Sequence, residues 1–143
     1  VLTDLRIVYL REDLGAIMED DLQKLQTALP GYYEKHLNKD LIVYVAREED
    51  TIVSCAFLLI VEKPKSPSFI TGRTGTVWNV YTKPEHRRKG YAKKLMTMML
   101  EDAGAQNVSV IELKATEDGY PLYKSIGFVD VGTQYCNMRI TLK

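Results

Sequence analysis

The chain has 143 residues, 45% of them hydrophobic and 27% charged, which is ordinary globular usage and enough chain to enclose a hydrophobic core. Its 19 Lys and Arg balance 19 Asp and Glu, so the formal net charge is zero. A protein that coats nucleic acid carries a broad positive excess, so any basic site here has to be local. The longest apolar run, Cys55-Ala56-Phe57-Leu58-Leu59-Ile60-Val61, falls far short of the about twenty residues that cross a bilayer.

Val1 to Leu10 includes Asp4 and Arg6 and lacks the layout of a signal peptide. Leu5 to Tyr9 alternates, which predicts a first strand. From Asp13 to Leu29 the spacing becomes helical, with Met18, Leu22, Leu25 and Leu29 at i, i+4, i+7 and i+11. Pro30-Gly31 is expected to break that helix and leave a short second one from Tyr32 to Leu37. Leu41–Arg47 and Ile52–Val61 are apolar runs joined by the polar link Glu48-Glu49-Asp50, the pattern of an antiparallel hairpin. Cys55 falls in the second run, as expected of a buried thiol. Cys55 and Cys136 fit no CxxC or metal-ligand spacing, so a reducing, cytoplasmic setting without a bound metal is expected.

Pro64 to Gly75 is a turn-rich loop, and Thr76 to Thr82 a strand. Pro84-Glu85-His86-Arg87-Arg88-Lys89-Gly90 then opens directly into a helix, whose Ala92, Leu95, Met96, Met99, Leu100 and Ala103 recur at helical spacing, with Gly104 as its expected stop. Val108–Leu113 reads as a short strand buried on both faces. Gly119–Ser125 reads as a helix with Pro121 in its first turn. Phe128–Leu142 alternates as one long or two short strands. No repeat or linker divides the chain. The order β, α, α, β, β, β, α, β, α, β implies a mixed α/β fold, a central sheet with helices on both faces.

The segment from Val77 to Gly104 carries the chemistry. A helix start leaves about four backbone N–H groups without internal partners, and the helix dipole adds positive charge there. A loop opening straight into a helix is therefore suited to an anion. Gly90 removes a side chain from the approach, Ala92 keeps the first turn small, and Arg87, Arg88, Lys89, Lys93 and Lys94 surround the turn with positive charge. The same features also describe an ordinary solvated basic face. Neither GxxxxGK[ST] nor GxGxxG is present.

Arg87-Arg88-Lys89-Gly90-Tyr91-Ala92 resembles the R/Q-x-x-G-x-G/A signature of the GCN5-related (GNAT) N-acetyltransferases. The preceding Val80-Tyr81-Thr82-Lys83-Pro84-Glu85 is similar to the strand and Pro-Glu turn that lead into it, and Leu122-Tyr123-Lys124-Ser125-Ile126-Gly127-Phe128 looks like the family's LYxxxGF segment. Two separated motifs in the right order are more specific than either alone.

The resemblance implies one N-acetyltransferase domain over residues 1–143, with a mixed, largely antiparallel sheet. It implies transfer of an acetyl group from acetyl-CoA to a primary amine, on a small molecule or a peptide, by direct attack in a ternary complex. Arg87, Arg88, Lys89, Gly90, Tyr91, Ala92 and Lys93 would hold the coenzyme diphosphate, with backbone N–H groups from Arg88 to Lys93. Val80, Tyr81 and Thr82 would hold the thioester and pantetheine arm where their strand splays from the next. Tyr123 would be the general acid that protonates the departing thiolate.

The sequence also departs from the family pattern. Thr116 stands where many members carry an asparagine to the pantetheine arm, and Gly119 where alanine is common. No Glu or Asp occurs in Thr76–Thr82, so a usual general base is missing. Glu62 and His36 are alternative candidates, and a water chain would also serve, so no base is assigned. Tyr32, Tyr33, His36, Phe69 and Arg73 fall where members vary by acceptor. A non-catalytic CoA-binding or sensor domain is the alternative. A nucleic-acid binder through Arg87–Lys89 is disfavoured by zero net charge. C-terminal strand edges would suit a homodimer.

Overall fold

The computed structural model describes residues 1–143. Its elements are α1 (Leu2–Leu14), α2 (Glu19–His36), β1 (Leu41–Glu48), β2 (Thr51–Glu62), β3 (Arg73–Thr82), a single 3-10 turn at Pro84–His86, α3 (Tyr91–Ala105), β4 (Val110–Glu112) and α4 (Tyr120–Ser125). The strands lie in the order β1-β2-β3-β4. β1, β2 and β3 are antiparallel neighbours, and β4 joins β3 in parallel after the α3 crossover.

β2 organises the core because both its faces are covered. Ala56, Leu58 and Ile60 face α3, meeting Tyr44, Val77, Leu95, Met96, Met99, Ala103 and Tyr123. Cys55 and Phe57, the alternate positions, meet Leu5, Tyr33, Leu41 and Tyr81 beneath α1 and α2. Complete burial of a side chain such as Leu58 contributes about 1.5–3 kcal/mol. The hairpin link tightens to Glu49-Asp50, and Glu49 takes φ 55 there.

Three expected elements differ. Leu5–Tyr9 is not a strand but part of α1. Its alternation coexists with Leu2, Leu5 and Tyr9 at i, i+3 and i+7, the residues that pack on the α1/α2 side of the sheet. Pro30-Gly31 does not break α2, which runs unbroken from Glu19 to His36. Pro30 costs the N–H bond to Gln26, but both residues are exposed, so that carbonyl is not sealed from solvent, while Tyr33 anchors the last turns against Phe57, ring centroids 6.0 Å apart. Phe128–Leu142 forms no strand: Val129, Val131, Tyr135, Met138, Ile140 and Leu142 are all at least 74% exposed. Alternation alone makes no strand without an edge to pair with, so the C-terminal strand edges expected from the sequence are not formed.

Smaller shifts follow the same logic. α3 runs one residue past Gly104 and closes at Gln106, with Asn107 taking the left-handed conformation at φ 67. β4 is three residues long and only partly buried, because β3 offers it few partners. β3 begins at Arg73, within the expected loop.

The cysteines have opposite settings. Cys55 is fully buried, its Sγ 3.4 Å from the Asn79 carbonyl, and burial pushes its thiol up to about 11. Cys136 is exposed. A thiol-reactive chromogenic reagent should therefore label one thiol rapidly in the folded protein and both after denaturation. Rapid labelling of both in native buffer would contradict this packing.

Candidate active site

β3 passes through the Pro84–His86 turn into Arg88, which takes φ 64, and Gly90, which takes φ 84. Such left-handed residues turn successive N–H groups toward a common centre. The backbone N–H groups from Arg88 to Lys93 have no acceptor in the protein, and the first helical bond is Lys94 N–H to Gly90 C=O at 3.1 Å. Six consecutive donors at the start of a fifteen-residue helix form a cradle for an anion. A Cβ on Gly90 would meet nothing within 4 Å, so glycine is required there for its φ and not for space.

Two of the basic side chains are already engaged. Arg87 donates through Nε to the Thr82 carbonyl at 2.8 Å, pairs with Glu12 of α1 at 2.5 Å, and lies over the Tyr81 ring. Lys89 pairs with Glu48 at the end of β1 at 3.3 Å. Glu48 also accepts from the Tyr91 hydroxyl and lies 2.9 Å from His86 Nδ1. The Tyr91 bond, with Lys89 and His86 beside it, holds the Glu48 carboxyl below its ordinary range. Arg88, Lys93 and Lys94 are exposed and form no ion pair.

The second feature is where β3 loses its neighbour. Pairing with β4 covers only Thr74–Thr76, opposite Val110–Glu112, so Val77–Thr82 has no strand on that side. On the other side, Phe57 pairs with Trp78 but Cys55 with Tyr81, so β3 carries one extra residue there, a bulge. Asn79 occupies it with φ 55 and is 2% exposed. Its Nδ2 donates to the Leu5 carbonyl at 3.4 Å, and its Oδ1 accepts from Arg6 at 3.5 Å. The amide is thus committed to α1. Around it Val80 packs toward α3, Tyr81 is buried on the opposite face, and Thr82 bonds Ser54 at 2.8 Å. What remains available along the open edge is main chain.

Tyr123 of α4 has its ring buried in the core, edge-on to Phe128 at 5.8 Å, while its hydroxyl has no hydrogen-bond partner in the protein. Burial, then the neighbouring Tyr9 phenol, pushes Tyr123 up to about 12. Gly119 has a local reason: a Cβ there would lie 2.9 Å from Tyr123 Cε2. Thr116 accepts the Gly119 N–H through Oγ1 at 3.1 Å and the Tyr120 N–H through its carbonyl. Its hydroxyl therefore builds the turn into α4.

Of the base candidates, Glu62 stands apart from the open edge of β3. Glu62 pairs with Arg73, seven residues before Val80 along β3, or roughly 20 Å at strand rise. It borders a shallow cleft of about 270 Å³ shared with Lys39, Asp40, Ile60 and Arg73. His36 bonds Asp40 at 2.7 Å and stacks on Tyr32. Phe69 sits under Lys63, and Arg73 donates to the Gln106 carbonyl, so both are loop anchors. The sequence reading missed Glu12, Glu48, Asn79, Arg6 and Tyr9. Only the Asn79 main chain gives a local hint, since asparagine tolerates positive φ.

The sequence matches the acetyltransferase (GNAT) family over residues 7–128, and the chain belongs to that family. Its fold is similar to that of a predicted acetyltransferase from Clostridium acetobutylicum solved with acetyl-CoA, at 26% identity and TM-score 0.81, covering 96% of this chain and 87% of that one. A GCN5-related N-acetyltransferase from Ralstonia eutropha shares the fold at 23% identity and TM-score 0.75, covering 96% and 89%. A ribosomal-protein-alanine N-acetyltransferase from Brucella melitensis is similar at 26% identity and TM-score 0.58, covering 78% and 79%. No curated protein sequence matches closely enough to count as a relative. No helix is long and apolar enough to cross a membrane.

Glu48 acts on the loop in two opposed ways: it holds Lys89, Tyr91 and His86, and it places negative charge near an anion cradle. Losing that order outweighs the removal of one partly exposed charge, because an exposed charge acts weakly through water. Glu48→Ala should therefore weaken binding of a diphosphate probe at this turn about 3- to 10-fold by calorimetry. Glu48→Gln, which keeps an acceptor for Tyr91, should leave it unchanged or tighter.

Proposed function

We propose that residues 1–143 act as one N-acetyltransferase domain, which moves the acetyl group of acetyl-CoA to a primary amine by direct attack in a ternary complex. The observation that carries this reading is the run of unpartnered N–H groups from Arg88 to Lys93 beside the open edge of β3. A diphosphate would accept from those donors, with Arg88, Lys93 and Lys94 adding charge. The pantetheine arm and thioester would pair with the main chain of Val80, Tyr81 and Thr82, as an added strand would.

In the reaction the amine nitrogen attacks the carbonyl carbon, the C–S bond breaks, and CoA leaves as thiol. A strand donor aimed at the carbonyl oxygen stabilises the oxyanion. Tyr123 gives its proton to the departing sulfur, and the attacking nitrogen loses one to water. A phenol near 12 is a weaker acid than an ordinary thiol near 8.5. The dry environment that raises the phenol also raises thiolate basicity, which brings the two closer. Neither cysteine suits a covalent acyl intermediate: Cys55 is sealed in the core and Cys136 lies in the exposed C-terminal segment.

The acceptor is a small-molecule or peptide amine, and no nucleic acid, membrane or metal partner is invoked. The missing carboxylate in Thr76–Thr82 favours one second reading, a CoA-binding domain without turnover. CoA release measured over a panel of amines separates the two.

Tyr123→Phe should lower kcat about 10²- to 10⁴-fold while the calorimetric Kd for CoA stays within about twofold, since packing is conserved. An unchanged kcat removes Tyr123 from the chemistry. Because Tyr123 is held protonated up to about 12, the wild-type rate should rise with pH as the acceptor amine deprotonates. It should show no falling limb below about pH 10. A fall near pH 9 that disappears in Tyr123→Phe would contradict this.

A further inference from the structure

Two arginines line the seam between α1 and β3, and they are used differently. Arg87 is consumed by Glu12 and the Thr82 carbonyl. Arg6 is half-buried and forms no ion pair, and its one polar contact is the long 3.5 Å bond to the neutral Asn79 amide. Its guanidinium lies 5.9 Å from the Tyr9 ring centroid and 5.8 Å from that of Trp78. Those rings hold the planar fork in place without satisfying its N–H groups. Asn79 is oriented by its own bond to the Leu5 carbonyl, so its oxygen faces Arg6. Trp78 is 46% exposed, which leaves this corner open to solvent.

The position matters as much as the missing partner. Asn79 is the bulge residue, one step before the Val80–Thr82 edge proposed for the thioester arm. Arg6 thus meets β3 one residue before that edge, through the Asn79 side chain. Burial pushes the Tyr9, Tyr32 and Tyr33 phenols up, and in all three the Arg6 charge works against that shift, which puts it among the aromatic side chains of α1 and α2. A pre-oriented, partly desolvated guanidinium without a carboxylate is suited to bidentate recognition of a carboxylate or phosphate.

Building on the proposed transfer reaction, we infer that Arg6 is a specificity-determining residue that binds an anionic oxygen group on the acceptor. The preferred acceptor is then a small amine that carries a carboxylate or a phosphate a few ångströms from its nitrogen. The amine becomes the nucleophile while the anion docks on Arg6, in the angle between Trp78 and Tyr9.

Matched pairs test this with the intact chain: β-alanine against β-alaninamide, and phosphoethanolamine against ethanolamine, in the CoA-release assay. The anionic member of at least one pair should have a kcat/KM on the order of 10- to 100-fold higher, the scale of one charge-assisted bidentate contact. Which pair responds distinguishes carboxylate from phosphate. Arg6→Gln should collapse that ratio and Arg6→Lys should keep part of it. Equal rates within both pairs, or an equal fall for both members in Arg6→Gln, would overturn the assignment and leave the transfer reaction standing. Trp78 is the only tryptophan, so its emission gives a readout independent of turnover. A saturable change with the anionic amine, absent with its neutral partner and lost in Arg6→Gln, supports the assignment even if no acetyl transfer occurs. No change with any of the four amines overturns it.

Discussion

β3 is held by a strand on both sides for three residues and on one side thereafter. Where β4 parts from it after Thr76, the main chain of Val77–Thr82 has no strand partner on that side, although the Thr82 carbonyl accepts from Arg87 Nε. A buried backbone in that condition would be costly, so the strand end has to face either water or a ligand. The bulge at Asn79 fixes the geometry, because it twists the strand just beyond the last β4 pair and ties it to α1 through a buried amide. The opening is therefore built into the backbone and is not a gap between mobile parts.

The glycine turn before α3 is held by two carboxylates from separate elements. Glu12 on α1 reaches it through Arg87, and Glu48 at the tip of β1 reaches it through Lys89, His86 and Tyr91. Both carboxylates restrain side chains and leave the N–H groups from Arg88 to Lys93 free. Much of the basic character visible along this segment is thus spent on holding the loop, which leaves main-chain dipoles and a few exposed cations uncommitted. This fits a chain whose net charge is zero: a narrow cradle needs local donors and not a broad positive field.

On the far side of the opening, Tyr123, Gly119 and Thr116 behave as one unit. Thr116 caps the turn, Gly119 clears space for the ring, and the phenol is held in place by Phe128 with its hydroxyl uncommitted. Opposite it, α1 brings Tyr9 and Arg6 to the same strand. The α1 helix, which carries no recognisable motif, thereby contributes a fastener for the bulge and, through Glu12, a partner for Arg87 beside the glycine turn.

Local spacing was sufficient for the β1–β2 hairpin, for α3 and for the glycine turn before it. Each depends on neighbours in sequence: alternating apolar residues with a short polar link, a 3.6-residue stripe, and one residue able to take a left-handed conformation. The Leu122–Phe128 segment was legible by its resemblance to the family's LYxxxGF pattern. α1 was misread as a strand because five residues of alternation fit either periodicity, and the choice was made by Leu2, Leu5 and Tyr9 packing beneath the sheet. The C-terminal alternation was misread because a strand exists only where an edge accepts it. Glu12, Glu48 and Arg6 were invisible for a related reason: a carboxylate or guanidinium has no signature until its partner is beside it, and their partners lie between 38 and 75 residues away in the chain. Sequence determined which segments could bind an anion; the tertiary fold decided which charges were left to do it, because ion pairing and burial depend on distance in space.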